Sequence, residues 1–183
     1  MFDSRLFAVT RRLHDGREVF RREAAALRAD EFVDWPERDA YSTGWQVFPL
    51  VLRARPGSMA VDLAYNRRRC PESAALLDAA GVLIGGVSRL LPGCHIYPHT
   101  DDPEPDVLRF HLGLRCRGRA GLRIGATELE QTDDTSYVFD HSCRHEAGNL
   151  GDEPRDVLLV DFRLTAAEVE MVARLRRGEA AGA

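Results

Sequence analysis

The sequence predicts a mainly β fold, an antiparallel sandwich or barrel that follows a helical N-terminal part and ends in one helix. Short β-prone runs, separated by glycine, proline and aspartate, fill residues 88–163. The first 40 residues are instead rich in arginine, glutamate and alanine, and the C-terminal stretch has helical spacing. Several short strands at near-regular spacing are typical of sandwiches and barrels and not of βαβ units.

The N-terminal part is predicted to be helical because apolar residues recur every three or four positions in 17–29. Pro36 then ends that pattern. The sequence changes to β-prone runs at 45–52 and 82–91. Between them a helix is predicted at 71–80, which begins with a proline, a residue that suits the first helical turn.

The second half of the chain is predicted to supply most of the strands. Their expected ranges are 108–117, 121–130, 135–141 and 155–164. A closing helix at 165–178 is indicated by Thr165 and Glu168, which have the spacing of a capping box. No internal repeat or linker interrupts this order, so we expect one domain over 1–183. Its helical part, its β core and its C-terminal helix with the tail are expected at 1–44, 45–163 and 164–183.

Composition excludes several classes of function. Basic and acidic side chains nearly balance, at 25 and 29, whereas a nucleic-acid partner usually requires a basic excess. No lysine is present, which excludes Schiff-base chemistry. No apolar stretch is long enough for a membrane span or typical of a signal peptide, so we expect no membrane partner. The four cysteines form no CxxC pair, and we expect a cytoplasmic protein with free thiols.

His99 and Asp101 form the most informative local pattern. In an extended strand, residues i and i+2 point to the same side, so this pair places an imidazole beside a carboxylate. His145, on a later strand, would complete a set of two histidines and one carboxylate. Such a set leaves coordination positions open for a chelating co-substrate and O₂ on non-haem Fe(II). Arg155 begins the next strand, where its guanidinium could hold a distal carboxylate by two parallel hydrogen bonds.

Four longer motifs follow one another along the β core. They read L-x-P-G-x-x-I-x-P-H-T, R-x-H-L-G-L, F-D-x-S-x-x-H-E and N-x-G-D-E-P-R-x-V-L-L-V-D. In this combination the chain resembles the aspartyl/asparaginyl β-hydroxylase family over about residues 45 to 163. The resemblance implies a double-stranded β-helix, the jelly-roll fold of cupin-like proteins. It also implies an oxygenase that depends on Fe(II), 2-oxoglutarate and O₂.

Carried over position by position, the resemblance implies roles for the residues of the site. The iron ligands would be His99, Asp101 and His145, with the adjacent Asp102 as the reserve candidate for the carboxylate. The distal carboxylate of 2-oxoglutarate would be held by Arg155 and Ser88. The C1 carboxylate end would lie near Arg109 and His111, and an aromatic wall of the pocket would be Trp45.

The sequence departs from the family pattern in two places. Arg163-Leu164-Thr165 stands where the family often has W-H-P. Asp140-His141-Ser142-Cys143 stands where the family has D-D-S-F. Neither departure includes an implied iron ligand, and both bear on the substrate side.

The implied reaction is hydroxylation of a C–H bond, at the β-carbon of an aspartyl, asparaginyl or related amino-acid unit, with succinate and CO₂ as co-products. The partner would be a small-molecule or peptidyl amino-acid substrate, with a carrier-bound form also open. Two alternatives stay open at this point. One is a cupin-like zinc or manganese enzyme that catalyses isomerisation or hydrolysis, which Arg155 disfavours. The other is a non-catalytic binding module on the same scaffold, which the intact ligand set disfavours.

Overall fold

Two antiparallel β-sheets face each other in a computed structural model that describes residues 1–53 and 59–178. The six-stranded sheet runs in the order β1 (Val33–Asp34), β2 (Trp45–Leu52), β3 (Ile84–Leu90), β10 (Arg155–Arg163), β5 (Val107–Arg115) and β8 (Ser136–Phe139). The four-stranded sheet runs in the order β4 (His95–His99), β9 (His145–Asn149), β6 (Ala120–Ile124) and β7 (Thr127–Glu130).

The connections between the strands define a jelly roll. From β3 onward the chain passes to the other sheet at every connection except the β6–β7 hairpin. Each β–β pairing in both sheets is antiparallel. The predicted fold class, a double-stranded β-helix with helices at both ends of the chain, is confirmed.

Within residues 1–53 and 59–178, five α-helices accompany the sheets. They are α1 (Ala8–Asp15), α2 (Arg17–Ala25), α3 (Leu63–Arg69), α4 (Pro71–Ala80) and α5 (Ala166–Arg176). A buried apolar cluster joins Leu13 and Phe20 of the N-terminal helices to Phe110 and Leu158 of the large sheet. The helices therefore cover one face of that sheet, and burial of such side chains is the main source of stability at this layer.

The second apolar cluster lies between the two sheets. It includes Trp45 and Leu90 of the large sheet and Ile96, Leu122 and Ala147 of the small sheet. Because the large sheet is covered on both faces, its central strands are apolar on both sides. The inner face is the one on which polar residues of the site replace part of the apolar core.

Most sequence-predicted elements are found where they were expected. Helix α4 has the predicted bounds. Helix α5 begins directly after Thr165, the N-cap of the predicted capping box, in which Thr165 and Glu168 bond reciprocally. The strand predicted at 121–130 is instead a hairpin, because Gly125 adopts a left-handed conformation (φ 57°) that turns the chain between β6 and β7. The predicted helix at 17–29 ends earlier, at Ala25.

Two further corrections concern the predicted division of the chain. The part expected to be helical, 1–44, also contains the short strand β1, which pairs with β2 through Val33 and Val47. The part expected to be the β core, 45–163, also contains α3, whose N-terminus is capped by the Asp62 side chain. The last residues of the expected C-terminal tail, 179–183, lie outside the described residues. No helix in the described ranges has the length and apolar character needed to cross a membrane.

Replacing Gly113 with alanine should destabilise the jelly roll. A Cβ atom at this position of β5 would lie 2.0 Å from the carbonyl oxygen of Thr132, a backbone atom that cannot move aside cheaply. We expect Gly113→Ala to lower the free energy of unfolding by about 3 kcal/mol, measured by urea denaturation.

Gly148→Ala is the matched control, because it also places a Cβ on a strand but meets no heavy atom closer than 3.8 Å. We expect it to change the free energy of unfolding by less than about 1 kcal/mol. Equal destabilisation by the two substitutions would contradict the close approach at Gly113.

Candidate metal centre

The pairing of β4 with β9 places the two predicted histidine ligands side by side. His99 lies directly opposite His145 in the ladder, and their ring centroids are 4.3 Å apart. Asp101 follows His99 by two residues, and the candidate ligand atoms of the three side chains all lie within 4.8 Å of one another. Asp102, the reserve candidate, is exposed and does not belong to this group.

The hydrogen bonds of the two histidines leave the correct nitrogen free for a metal. Nδ1 of His99 bonds the carbonyl oxygen of Tyr97 at 2.7 Å, and Nδ1 of His145 bonds that of Cys143 at 2.9 Å. A carbonyl oxygen only accepts, so Nδ1 carries a proton in each ring, and in the neutral form of such a ring the lone pair is on Nε2. Backbone carbonyls orient metal-binding histidines in this way.

The charges of the group also suit a divalent cation. Burial lowers the pKa of His145 to about 4, so this imidazole is neutral at physiological pH. Burial alone would raise the pKa of Asp101, but the charge of Arg109 and the nearby histidines outweigh it and hold this pKa below its ordinary value. Neutral imidazoles and an ionised carboxylate are the protonation states that metal ligation requires. The residues present therefore fit a two-histidine, one-carboxylate metal site.

Arg109 is held by two carboxylates. Its Nε and Nη2 donate to the two oxygens of Asp161, at 2.7 and 2.9 Å, and its Nη1 donates to Oδ2 of Asp101 at 2.7 Å. Burial by itself would lower the pKa of Arg109, but the two carboxylates outweigh it and raise this pKa. The structure thus places Arg109 beside the predicted metal ligands, with all three guanidinium nitrogens bonded to protein carboxylates.

Several predicted site residues line one open cleft of about 690 Å³, a volume that includes open solvent. The predicted site residues among its lining are Trp45, Ser88, His99, Asp101 and Arg109. The indole Nε1 of Trp45 donates to Oγ of Ser88 at 3.2 Å, which joins these two predicted residues directly. The walls are otherwise mainly apolar.

Arg155 and His111 are buried in the interior with unsatisfied nitrogens. Arg155 is 1% exposed, and its Nη2 donates to Gln131 at 3.0 Å while its Nε has no partner. Neither ring nitrogen of His111 has a partner among the described residues, although both are buried. Burial, followed by the charges of Arg155 and Arg109, lowers the pKa of His111 well below its ordinary value. In the part of the chain that the structure describes, no carboxylate forms an ion pair with Arg155.

A model of the aspartyl/asparaginyl beta-hydroxylase family matches residues 15–164. The chain belongs to this family. The match starts at the end of α1, well before the region from which the sequence motifs came, so helices α2, α3 and α4 are part of the β-hydroxylase family domain. A search of the curated proteins found no match.

Solved structures of other proteins are similar to this β-hydroxylase family member at low identity. A protein from Photorhabdus luminescens is 10% identical, with a TM-score of 0.45, over 82% of this chain and 94% of its own. A predicted oxalate decarboxylase from Thermotoga maritima is 14% identical, with a TM-score of 0.39, over 48% and 74%. A cupin-superfamily sugar phosphate isomerase from Silicibacter pomeroyi is 22% identical, with a TM-score of 0.37, over 48% and 57%. At these values the likenesses carry no conclusion about ligand or activity.

Three residues of the candidate site were not predicted from the sequence. Asp161 bonds Arg109, Gln131 bonds Arg155, and Trp35 stacks on Trp45 with ring centroids 4.4 Å apart. Asp161 carried a usable signal, since it lies six residues after Arg155 on the same strand and so on the same face. Gln131 and Trp35 lie in irregular segments beside the sheets, where no periodicity marks them.

Removing either histidine should abolish tight metal binding. We expect His99→Ala and His145→Ala each to weaken binding of Co(II), used as an air-stable probe, by more than about 100-fold, because each loses one ligand atom. Isothermal titration calorimetry of the metal-free protein measures this change.

His95→Ala is the matched control. His95 lies on the same strand as His99, but it is exposed and bonds Glu146 at 2.8 Å. Its substitution should leave the Co(II) affinity within about twofold. Comparable losses in all three variants would contradict the assignment of the ligands.

Proposed function

We propose that this protein is an Fe(II)- and 2-oxoglutarate-dependent dioxygenase. In this proposal it hydroxylates a C–H bond, at the β-carbon of an aspartyl, asparaginyl or related amino-acid unit, and releases succinate and CO₂. The substrate is a free, peptidyl or carrier-bound amino acid. Membership of a hydroxylase family and a group of residues able to hold a metal ion support the enzyme class.

The environment of Arg155 is the main support for 2-oxoglutarate as the co-substrate. A guanidinium stays charged at physiological pH, and burying it without a partner costs several kcal/mol. This arginine is buried, has an unsatisfied Nε and lacks an ion pair among the described residues. An anionic ligand in the interior would offset that cost, and a carboxylate accepts two parallel hydrogen bonds from a guanidinium.

A contrast on the same strand supports this interpretation. Asp156, the next residue, binds Arg89 at 2.7 and 2.9 Å and Arg115 at 2.9 Å. Asp156 thus gives a carboxylate partner to Arg89 and to Arg115, whereas no carboxylate among the described residues forms an ion pair with Arg155. We infer that Arg155 is reserved for a carboxylate that the chain itself does not supply.

The remaining residues have distinct tasks in the proposed reaction. His99, Asp101 and His145 would hold Fe(II), which when bound supplies the redox chemistry that activates O₂. The unsatisfied nitrogens of His111 give it hydrogen-bonding capacity toward the co-substrate. Ser88 and Trp45 form one wall of the cleft through their mutual hydrogen bond. The apolar lining keeps water away from the reacting C–H bond.

Substituting Arg155 should remove co-substrate binding without removing the metal. In an anaerobic titration with Fe(II) and then 2-oxoglutarate, we expect the wild-type protein to develop a visible metal-to-ligand charge-transfer band at one equivalent. In Arg155→Ala the band should require at least about 100-fold more 2-oxoglutarate, because a bidentate ion pair is lost.

Arg163→Ala is the matched control, since Arg163 ends the same strand but is exposed. It should give the wild-type titration. A wild-type protein that binds zinc or manganese tightly and develops no band with Fe(II) would contradict the proposal and favour the cupin-like isomerase or hydrolase.

Turnover should identify the substrate class. We expect Fe(II)-loaded protein to release succinate from 2-oxoglutarate slowly alone and at least about tenfold faster with the correct amino-acid unit, because substrate binding commits the site to reaction. A panel of free, peptidyl and carrier-bound aspartyl and asparaginyl compounds, with related residues, tests this by succinate assay. No stimulation by any member would contradict the proposed substrate class.

A further inference from the structure

We propose that Asp161 and Arg109 are positioning residues for the metal ligand Asp101. Arg109 holds one carboxylate oxygen of Asp101, and Asp161 fixes and neutralises Arg109 so that the other oxygen stays available to the metal. This inference rests on the metal site of the proposed function and is independent of 2-oxoglutarate.

Asp161 and Arg109 form a rigid pair because the sheet sets their register. They lie directly opposite each other on β10 and β5, two neighbouring strands of the large sheet. Both oxygens of Asp161 accept from the guanidinium, at 2.7 and 2.9 Å, and such a bidentate contact fixes the guanidinium plane. The side chains are 6% and 13% exposed, so solvent screens this pair little.

The third nitrogen of the guanidinium determines how Asp101 is held. Nη1 of Arg109 donates to Oδ2 of Asp101 at 2.7 Å. Oδ1 of the same carboxylate lies 3.7 Å from Nε2 of His99, the nitrogen left free for a metal. The two oxygens of Asp101 therefore have different tasks: Oδ2 is anchored to the large sheet, and Oδ1 faces the other ligand atoms.

Asp101 needs such an anchor because it lies outside regular structure. It follows the end of β4 and precedes an irregular segment, and its own backbone is held by a bond from its N–H to the carbonyl of His141 at 3.1 Å. His141 also brings Nδ1 to 3.6 Å from Oδ2. A carboxylate in an irregular segment would otherwise lose rotamer freedom on binding a metal, and the pre-formed bond to Arg109 reduces that cost.

The negative charge of Asp161 is important because it offsets the positive charge of Arg109. The Arg109 guanidinium binds Asp101, so it competes with the metal for this carboxylate. Asp161 offsets the charge of Arg109 and occupies two of its donors. Without the carboxylate at 161, Arg109 would compete more strongly for both oxygens of Asp101.

A double-mutant cycle tests this coupling in the metal-free full-length chain, without 2-oxoglutarate. Co(II) affinity and the visible d–d spectrum are measured for wild type, Asp161→Asn, Asp101→Ala and the double variant. We expect Asp161→Asn to weaken Co(II) binding at least about tenfold in the wild-type background. It should have less than about a twofold effect in the Asp101→Ala background, because it acts only through Asp101.

Asp156→Asn is the matched control. Asp156 lies on the same strand and is equally buried, and it holds Arg89 by two bonds of 2.7 and 2.9 Å, but as an even-numbered residue of β10 it belongs to the opposite face from Asp161. Its substitution should lower thermal stability and leave the Co(II) affinity and spectrum unchanged. Arg109→Lys serves if Asp161→Asn does not fold, since lysine keeps the positive charge but cannot bridge two carboxylates.

Each result of the Co(II) measurements leads to a different conclusion. Asp161→Asn or Arg109→Lys with wild-type affinity and spectrum overturns the positioning role, and so does an equal loss in both Asp101 backgrounds. Absence of Co(II) binding by the wild-type protein overturns the metal site, and with it both the inference and the proposed function. Co(II) binding with the expected coupling, together with no charge-transfer band with 2-oxoglutarate, supports the positioning role and overturns only the proposed co-substrate.

Discussion

The alternation of side chains along β10 is the constraint on which the rest of the structure depends. This strand lies between β3 and β5 in the large sheet, and both of its faces are buried. Leu158, Val160 and Phe162 enter the apolar cluster under the helices. Arg155 and Asp161 belong to the other face, toward the interior of the jelly roll. A shift of β10 by one residue in its pairing would exchange the side chains of its two faces and bury Arg155 and Asp161 under the helices. The register of β10 is therefore strongly specified.

The candidate metal centre depends on that register because its parts come from both sheets. The two histidines belong to paired strands of the small sheet, whereas Arg109 and Asp161 belong to paired strands of the large sheet. Asp101 connects the two groups, since it follows β4 in the chain and bonds Arg109 of β5. The distance between the sheets, set by apolar residues such as Leu90 and Ile96, therefore controls whether Arg109 reaches this carboxylate.

The buried arginines of the large sheet differ in the hydrogen-bond partners that the chain provides for them. Arg89 and Arg109 each hold a buried carboxylate in a bidentate contact, whereas Arg155 has one amide partner and a free Nε. Buried polar atoms in native proteins nearly always find partners, so each exception requires an explanation. Here the exceptions include Arg155 and His111, both belonging to the inner face of the large sheet.

The sequence by itself determined the fold class, the order of most elements and the candidate histidines of the metal centre. Alternating apolar patterns and the capping box at Thr165 are local signals that local geometry translates directly, and sequence motifs marked His99 and His145. Tertiary structure decided the choice of Asp101 over the exposed Asp102. It also decided the pairing of Arg109 with Asp161, which lies far along the chain. These contacts depend on strand order and register across two sheets, which no local pattern encodes.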